Sequence, residues 1–153
     1  MSKPITVTSV EELDATLASH EYTIIDFWAT WCPPCKAIAP VYEKLASENT
    51  SADTLAFAKV DVDAQKQLAQ RYNISAMPTF LLVQKGGEVK KAVRGADAKG
   101  IKTLIGYAKK KASGEAVSED EEKAFSQVVF SGGGGMGLMP LLLLAAAVWY
   151  FFF

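Results

Sequence analysis

The sequence predicts an α/β fold in which a central mixed sheet carries helices on both faces. Three observations predict it. Apolar runs of strand length alternate with segments of helical period through the first two thirds of the chain. Two later runs, Thr79 to Val83 and Val89 to Arg94, are joined across Lys85-Gly86-Gly87, a hairpin signal. The third is a pair of cysteines, Cys32 and Cys35, placed where an apolar run gives way to a helical one.

Taken in order, Ile5-Thr6-Val7 reads as a short first strand. Ser9 and Glu12 form a capping box that opens a helix with Val10, Leu13 and Leu17 on one face. Tyr22 to Trp28 is almost continuously apolar, which suits a strand covered on both faces and places it centrally. The helix after the cysteines carries Ile38, Val41, Tyr42 and Leu45 at helical spacing, and Pro40 inside it should kink it. Thr54 to Val60 is a further buried strand. Asp63 is then expected to cap a short helix that packs through Leu68, Ala69 and Tyr72. After the hairpin, Lys99 to Ala112 forms the last helix, with Ile101, Leu104, Ile105 and Ala108 inward and Lys109, Lys110 and Lys111 at its negative end. The order is β-α-β-α-β-α-β-β-α. The first three strands should run mostly parallel and the hairpin antiparallel.

The 153 residues divide by composition into a domain (1–112), a flexible acidic and glycine-rich linker (113–135) and an apolar tail (136–153). Residues 1–112 carry 15 Lys and Arg against 12 Asp and Glu, a net of +3. Residues 113–153 carry Lys123 against five acids, a net of −4. A whole-chain charge of −1 argues against a nucleic-acid surface. Leu138 to Phe153 has no charged residue, and as a helix it would reach roughly 24 Å at about 1.5 Å per residue. A bilayer core is about 30 Å thick, and local thinning accommodates a short span. The tail is therefore expected to be a membrane anchor, ahead of a helix docked on the domain and of a cleaved lipid-anchor signal. Met1 to Thr6 resembles neither a signal peptide nor a transit peptide, so the domain is expected on the cytosolic side of that membrane.

In a reducing compartment a close cysteine pair is catalytic or metal-binding more often than structural. Thiol–disulfide exchange needs one accessible thiolate to attack and a second thiol to release the mixed disulfide. At a strand-to-helix junction the first cysteine meets the unpaired amides of the helix N-terminus, which favour a negative sulfur. Cys32 is thus the expected nucleophile. Cys35, one turn on and more deeply covered, is the expected resolving thiol, with Lys36 adding positive charge nearby. Zinc is disfavoured, because it wants four ligands and only His20 could join the two cysteines among Cys and His. Inert buried thiols are disfavoured by the flanking Trp31, Pro33 and Pro34, which suit an exposed turn. Asp26, amid Ile24, Ile25, Phe27 and Trp28, is a carboxyl whose lost solvation should raise its pKa into the range of a proton relay.

Residues 3–112 resemble the thioredoxin family in motif and element order. The resemblance rests on Ile25-Asp26-Phe27-Trp28-Ala29-Thr30-Trp31-Cys32, Lys59-Val60-Asp61-Val62-Asp63, Ala76-Met77-Pro78-Thr79-Phe80 and Arg94-Gly95-Ala96. It implies a thioredoxin fold and reduction of disulfides in client proteins, with thioredoxin reductase as the electron donor and no cofactor or metal on this chain. It implies Asp26 as the acid/base group serving Cys35, with Lys59 beside it. It implies a cis bond at Met77-Pro78, with the Met77 backbone pairing to an extended substrate. Trp31 and Gly95 match the family's docking surface, and Pro33 and Pro34 are counted with these substrate contacts; Trp31 as a core residue is the alternative. Trp28 is assigned to packing. One departure stands out, because the usual motif has glycine where this chain has Pro33. Two other functions compete with the reductase: a non-catalytic binding subunit of the same fold, and an oxidase or isomerase in an oxidising lumen.

Overall fold

The structure, a computed structural model, describes residues 2–127. Its strands are β1 (Ile5–Thr6), β2 (Tyr22–Trp28), β3 (Leu55–Asp61), β4 (Thr79–Gln84) and β5 (Val89–Arg94). Its helices are α1 (Val10–Ser19), α2 (Pro33–Asn49), α3 (Lys66–Arg71), α4 (Ala98–Ser113) and α5 (Glu119–Gln127). The sheet order is β1-β3-β2-β4-β5, so β2 lies at its centre. β3 runs parallel to both β1 and β2, while β4 is antiparallel to β2 and to β5.

Alternation along the strands gives the sheet two apolar faces. Ile24, Phe57, Phe80, Leu82 and Val93 pack with Ile38, Tyr42 and Leu45 of α2 and with Ile101, Leu104 and Ile105 of α4. Ile25, Phe27, Ala58, Val60, Leu81 and Val83 pack with Leu13 and Leu17 of α1 and with Leu68 of α3. That two-sided cover explains why β2 reads as an almost continuous apolar run. Helix α1 starts as its capping box predicts: the Glu12 amide donates to Ser9 Oγ at 3.1 Å. Helix α2 continues through Pro40 to Asn49. Tyr42, fully buried, sets its hydroxyl 3.0 Å and 2.8 Å from the carbonyls of Ile24 and Ala58, which ties α2 to the two central strands.

Two expectations are corrected. Asp63 does not cap α3, whose N-cap is Gln65 with no side-chain hydrogen bond. The turn after β3 is closed by Asp61 instead, whose Oδ1 accepts from the amides of Asp63 and Ala64 at 2.9 and 3.3 Å. That leaves the Asp63 carboxylate free to turn toward the cysteine loop.

The second correction concerns the segment read as linker. Helix α4 ends at Gly114 in the left-handed region (φ 76°), where glycine is at no steric disadvantage, and the chain turns back to form α5. Ser118 and Glu121 make a second capping box: the Glu121 amide donates to Ser118 Oγ at 3.3 Å and the Ser118 amide to Glu121 Oε2 at 3.0 Å. Phe125 is 3 % exposed and stacks on Tyr107 of α4, with ring centroids 3.8 Å apart. Lys91 lies over the other face of the Phe125 ring at 5.0 Å, and Lys110 pairs with Glu121. Burying a phenylalanine side chain contributes about 1.5–3 kcal/mol, which accounts for a helix in so acidic a stretch. Residues 128–153, including the glycine run and the expected anchor, lie outside the described residues. Among the described residues no helix is long and apolar enough to cross a membrane.

Candidate active site around the cysteine pair

The strand-to-helix junction that follows β2 determines where the cysteines sit. Cys32 is the N-cap residue of α2, and Pro33 and Pro34 occupy its first two helical positions. Proline suits the first of these, because its missing amide would lack an intrahelical partner anyway. With both prolines unable to donate, the cap bond falls to Cys35, whose amide donates to Cys32 Sγ at 3.2 Å. The two residues are joined as a disulfide, with Cα atoms 5.3 Å apart.

Both cysteines are buried, each 4 % exposed. The expectation that Cys32 would be open and Cys35 the more covered of the two is thus corrected for the disulfide state. The cover comes from far along the chain. Cys32 Sγ lies 3.7 Å from the carbonyl oxygen of Met77, and the pair packs with Ala29, Trp28, Val62 and Met77. The Met77-Pro78 peptide is cis. Gly95, at φ 99°, donates its amide to the Pro78 carbonyl at 2.8 Å, so the loop after β5 and the loop before β4 are fastened together beside the disulfide. A residue with a side chain rarely adopts that backbone conformation, which accounts for glycine at position 95.

Trp31 is 63 % exposed, so it is a surface ring and not a core residue. Its indole Nε1 donates to Asp63 Oδ2 at 2.9 Å, which pins the ring next to the cysteines. Asp63 is thus a site residue whose sequence signal was mistaken for a helix cap. Pro33 and Pro34 are exposed beside Trp31.

Asp26 lies on the other side of the pair. It is 2 % exposed, and its Oδ1 has no hydrogen-bond partner. Burial pushes its carboxyl from the ordinary 3.8 up to about 7, against the lowering effect of the Lys59 ammonium. Lys59 sits opposite Asp26 in the parallel β2–β3 pair, with its Nζ over the Trp28 ring at 5.0 Å. A cavity of about 80 Å³ is lined by Asp26, Trp28, Cys35, Lys36, Ala39 and Lys59. It is large enough to admit water and connects the buried carboxyl to the Cys35 side of the disulfide. Cys32 thus faces the Met77 loop, while Cys35 shares a cavity with a carboxyl that can hold or release a proton near neutral pH. Such an arrangement can pass two electrons through the sulfurs and one proton through the carboxyl.

Comparison with known proteins agrees with this geometry. The Thioredoxin family model matches residues 4–107. A thioredoxin-like protein of Fusarium culmorum is 45 % identical over 116 residues, covering 71 % of this chain and 96 % of that protein. Thioredoxin-1 of Saccharomyces cerevisiae is 44 % identical over 97 residues, 63 % of this chain and 90 % of the relative. The crystal structure of a Malassezia sympodialis thioredoxin superposes with a TM-score of 0.63 at 39 % identity, covering 70 % of this chain and 92 % of that one. Helix α5 lies beyond the family match. With this fold, this cysteine pair and these relatives, the chain belongs to the thioredoxin family and is a thiol–disulfide oxidoreductase whose redox centre is Cys32 and Cys35.

Proposed function

We propose that the chain reduces disulfides in client proteins from the cytosolic face of a membrane to which residues 136–153 hold it. The observation that carries the reductase reading is the cysteine pair at the N-terminus of α2 with Asp26 buried behind it. In the reduced protein the Cys32 thiolate attacks one sulfur of the client disulfide, and the other client sulfur leaves as a thiolate. Asp26 takes the proton of Cys35, and the Cys35 thiolate then attacks Cys32 Sγ and expels the second client sulfur. The Cys32–Cys35 disulfide remains, and thioredoxin reductase returns it to the dithiol with two electrons and two protons. Met77, Pro78, Gly95 and Trp31 receive the client strand, with Pro33 and Pro34 at its edge. Lys59 offsets the negative charge that forms on Asp26.

The test is insulin reduction by the full chain with NADPH and thioredoxin reductase. One NADPH consumed per insulin disulfide cleaved is expected; binding without turnover would instead make the chain a binding subunit. The membrane part rests on the uncharged apolar run from Leu138 to Phe153. Full-length protein expressed in cells should stay in the pellet after alkaline carbonate extraction, and release into the supernatant would remove the anchor from this reading.

Pro33→Gly is expected to make the protein more oxidising. The substitution returns an amide at the first position of α2, adjacent to a sulfur that now accepts only from Cys35 within the helix. A donor to a charged sulfur stabilises thiolate over disulfide, and a hydrogen bond to a charged group is worth about 1.5–3 kcal/mol. At about 30 mV per 1.4 kcal/mol the potential should rise by some tens of millivolts. Equilibrium titration against glutathione reads it, and a potential equal to that of the parent would show that Pro33 is silent.

A further inference from the structure

Lys59 has a second carboxylate near it. Its Nζ lies 3.7 Å from Glu43 Oε1, on α2. Lys36, Ala39 and Glu43 follow one another at helical spacing, and the first two line the cavity that holds Asp26. The stripe of α2 facing that cavity therefore ends in Glu43, half-exposed, with the ammonium drawn out toward it. The Trp28 ring lies under the same ammonium and limits where it can move.

We propose that Glu43 is a positioning residue for the redox reaction: it holds the Lys59 ammonium at the outer end of the cavity and so keeps that cation from closing on the Asp26 carboxyl. The surroundings leave few other groups to do this. From β3, Lys59 is the charged group facing Asp26. From α2 come Lys36, the disulfide-bonded Cys35, Glu43 and the Tyr42 phenol, which burial pushes up and whose hydroxyl is engaged by two backbone carbonyls. From β4 the register partner is Phe80, and the inward residues of α4 are apolar. Burial raises the Asp26 acid and Lys59 partly offsets it, so moving that ammonium changes the size of the offset.

Glu43→Gln removes the anchor and a nearby negative charge, and both changes favour the ionised Asp26. Glu43 is half-exposed and its ion pair contributes little to stability, so the variant folds like its parent. The experiment is an NMR titration of the Asp26 side-chain carboxyl in the oxidised full chain, with the pH profile of insulin reduction measured alongside. The midpoint in Glu43→Gln is expected about half a pH unit below the parent, and Glu43→Asp should restore most of it. In a Lys59→Met background the same Glu43→Gln change should move the midpoint much less. An unmoved midpoint in Glu43→Gln overturns the proposal, as does an equal shift with and without Lys59. The inference of a functional effect rests on Asp26 being the acid/base group. If the titration moves while the rate profile does not, Glu43 still positions Lys59 and the reading of Asp26 as proton relay fails.

Discussion

Cys32→Ser reduces turnover of protein disulfides to background, whereas Cys35→Ser still attacks its clients and stops at the mixed disulfide. The two sulfurs are covered to the same extent in the disulfide, so exposure does not separate them. Their neighbours do. Cys32 caps α2, accepts the Cys35 amide and sits against the backbone of Met77, where an extended client chain can lie. Cys35 stands inside the first turn of α2 and shares its cavity with Asp26. Attack from Cys32 and resolution from Cys35 therefore place each sulfur where its step needs it. A serine hydroxyl is a far weaker nucleophile toward sulfur than a thiolate, so the loss in Cys32→Ser is complete. For Cys35→Ser the expected product is one client per chain, joined through Cys32 and released by dithiothreitol. Non-reducing electrophoresis after alkylation, with mass spectrometry of the linked peptides, reads both variants. Clients trapped through Cys35 in Cys32→Ser, with none through Cys32 in Cys35→Ser, would reverse the assignment.

Much of this architecture was legible in the chain, and its misses share a physical origin. Strands β2 and β3 are readable because burial on both faces keeps them mostly apolar, with Thr23 and Asp26 the exceptions in the first and Lys59 and Asp61 in the second, and Ser9 with Glu12 announces α1 before any packing is known. Asp26 was conspicuous for the converse reason, as a carboxyl where the run should be apolar. What failed was composition used in place of local pattern. Ser118 and Glu121 repeat the capping box of α1, and Phe125 supplies an anchor, yet four consecutive acids made the segment read as linker. Those acids suit the first turn of a helix, where the dipole favours negative charge. Asp63 was misread because either a helix cap or a partner for an indole would place an aspartate after a strand; only the fold brings Trp31, 32 residues earlier, within reach. The cover over Cys32 leaves no mark in the local pattern, since it comes from a backbone carbonyl 45 residues away; the family resemblance alone points to the Met77-Pro78 loop. Contacts between distant segments leave no local signature, whereas caps and periodicity do.

Asp26→Asn should slow insulin reduction by roughly a hundredfold at neutral pH while making the protein more stable there, the loss following from removal of a general base. The stability gain follows from linkage. An unfolded aspartate ionises near its ordinary 3.8, whereas the folded carboxyl holds its proton up to about 7 because burial disfavours the charge. Below pH 3.8 both states are protonated and the group is neutral to stability. Between 3.8 and about 7 the folded state binds the extra proton, so stability falls as pH rises; above about 7 the penalty is complete and constant. At 1.36 kcal/mol per unit this penalty is on the order of 4 kcal/mol, and asparagine escapes it by having no charge to bury. Oδ1 of Asp26 has no hydrogen-bond partner, so the substitution at that atom breaks no bond. Urea unfolding at pH 4, 6 and 8 should show the variant and its parent close together at pH 4 and furthest apart at pH 8. An equal difference at all three values would mean that Asp26 is not the group titrating, and an unchanged rate across neutral pH would remove it from the mechanism.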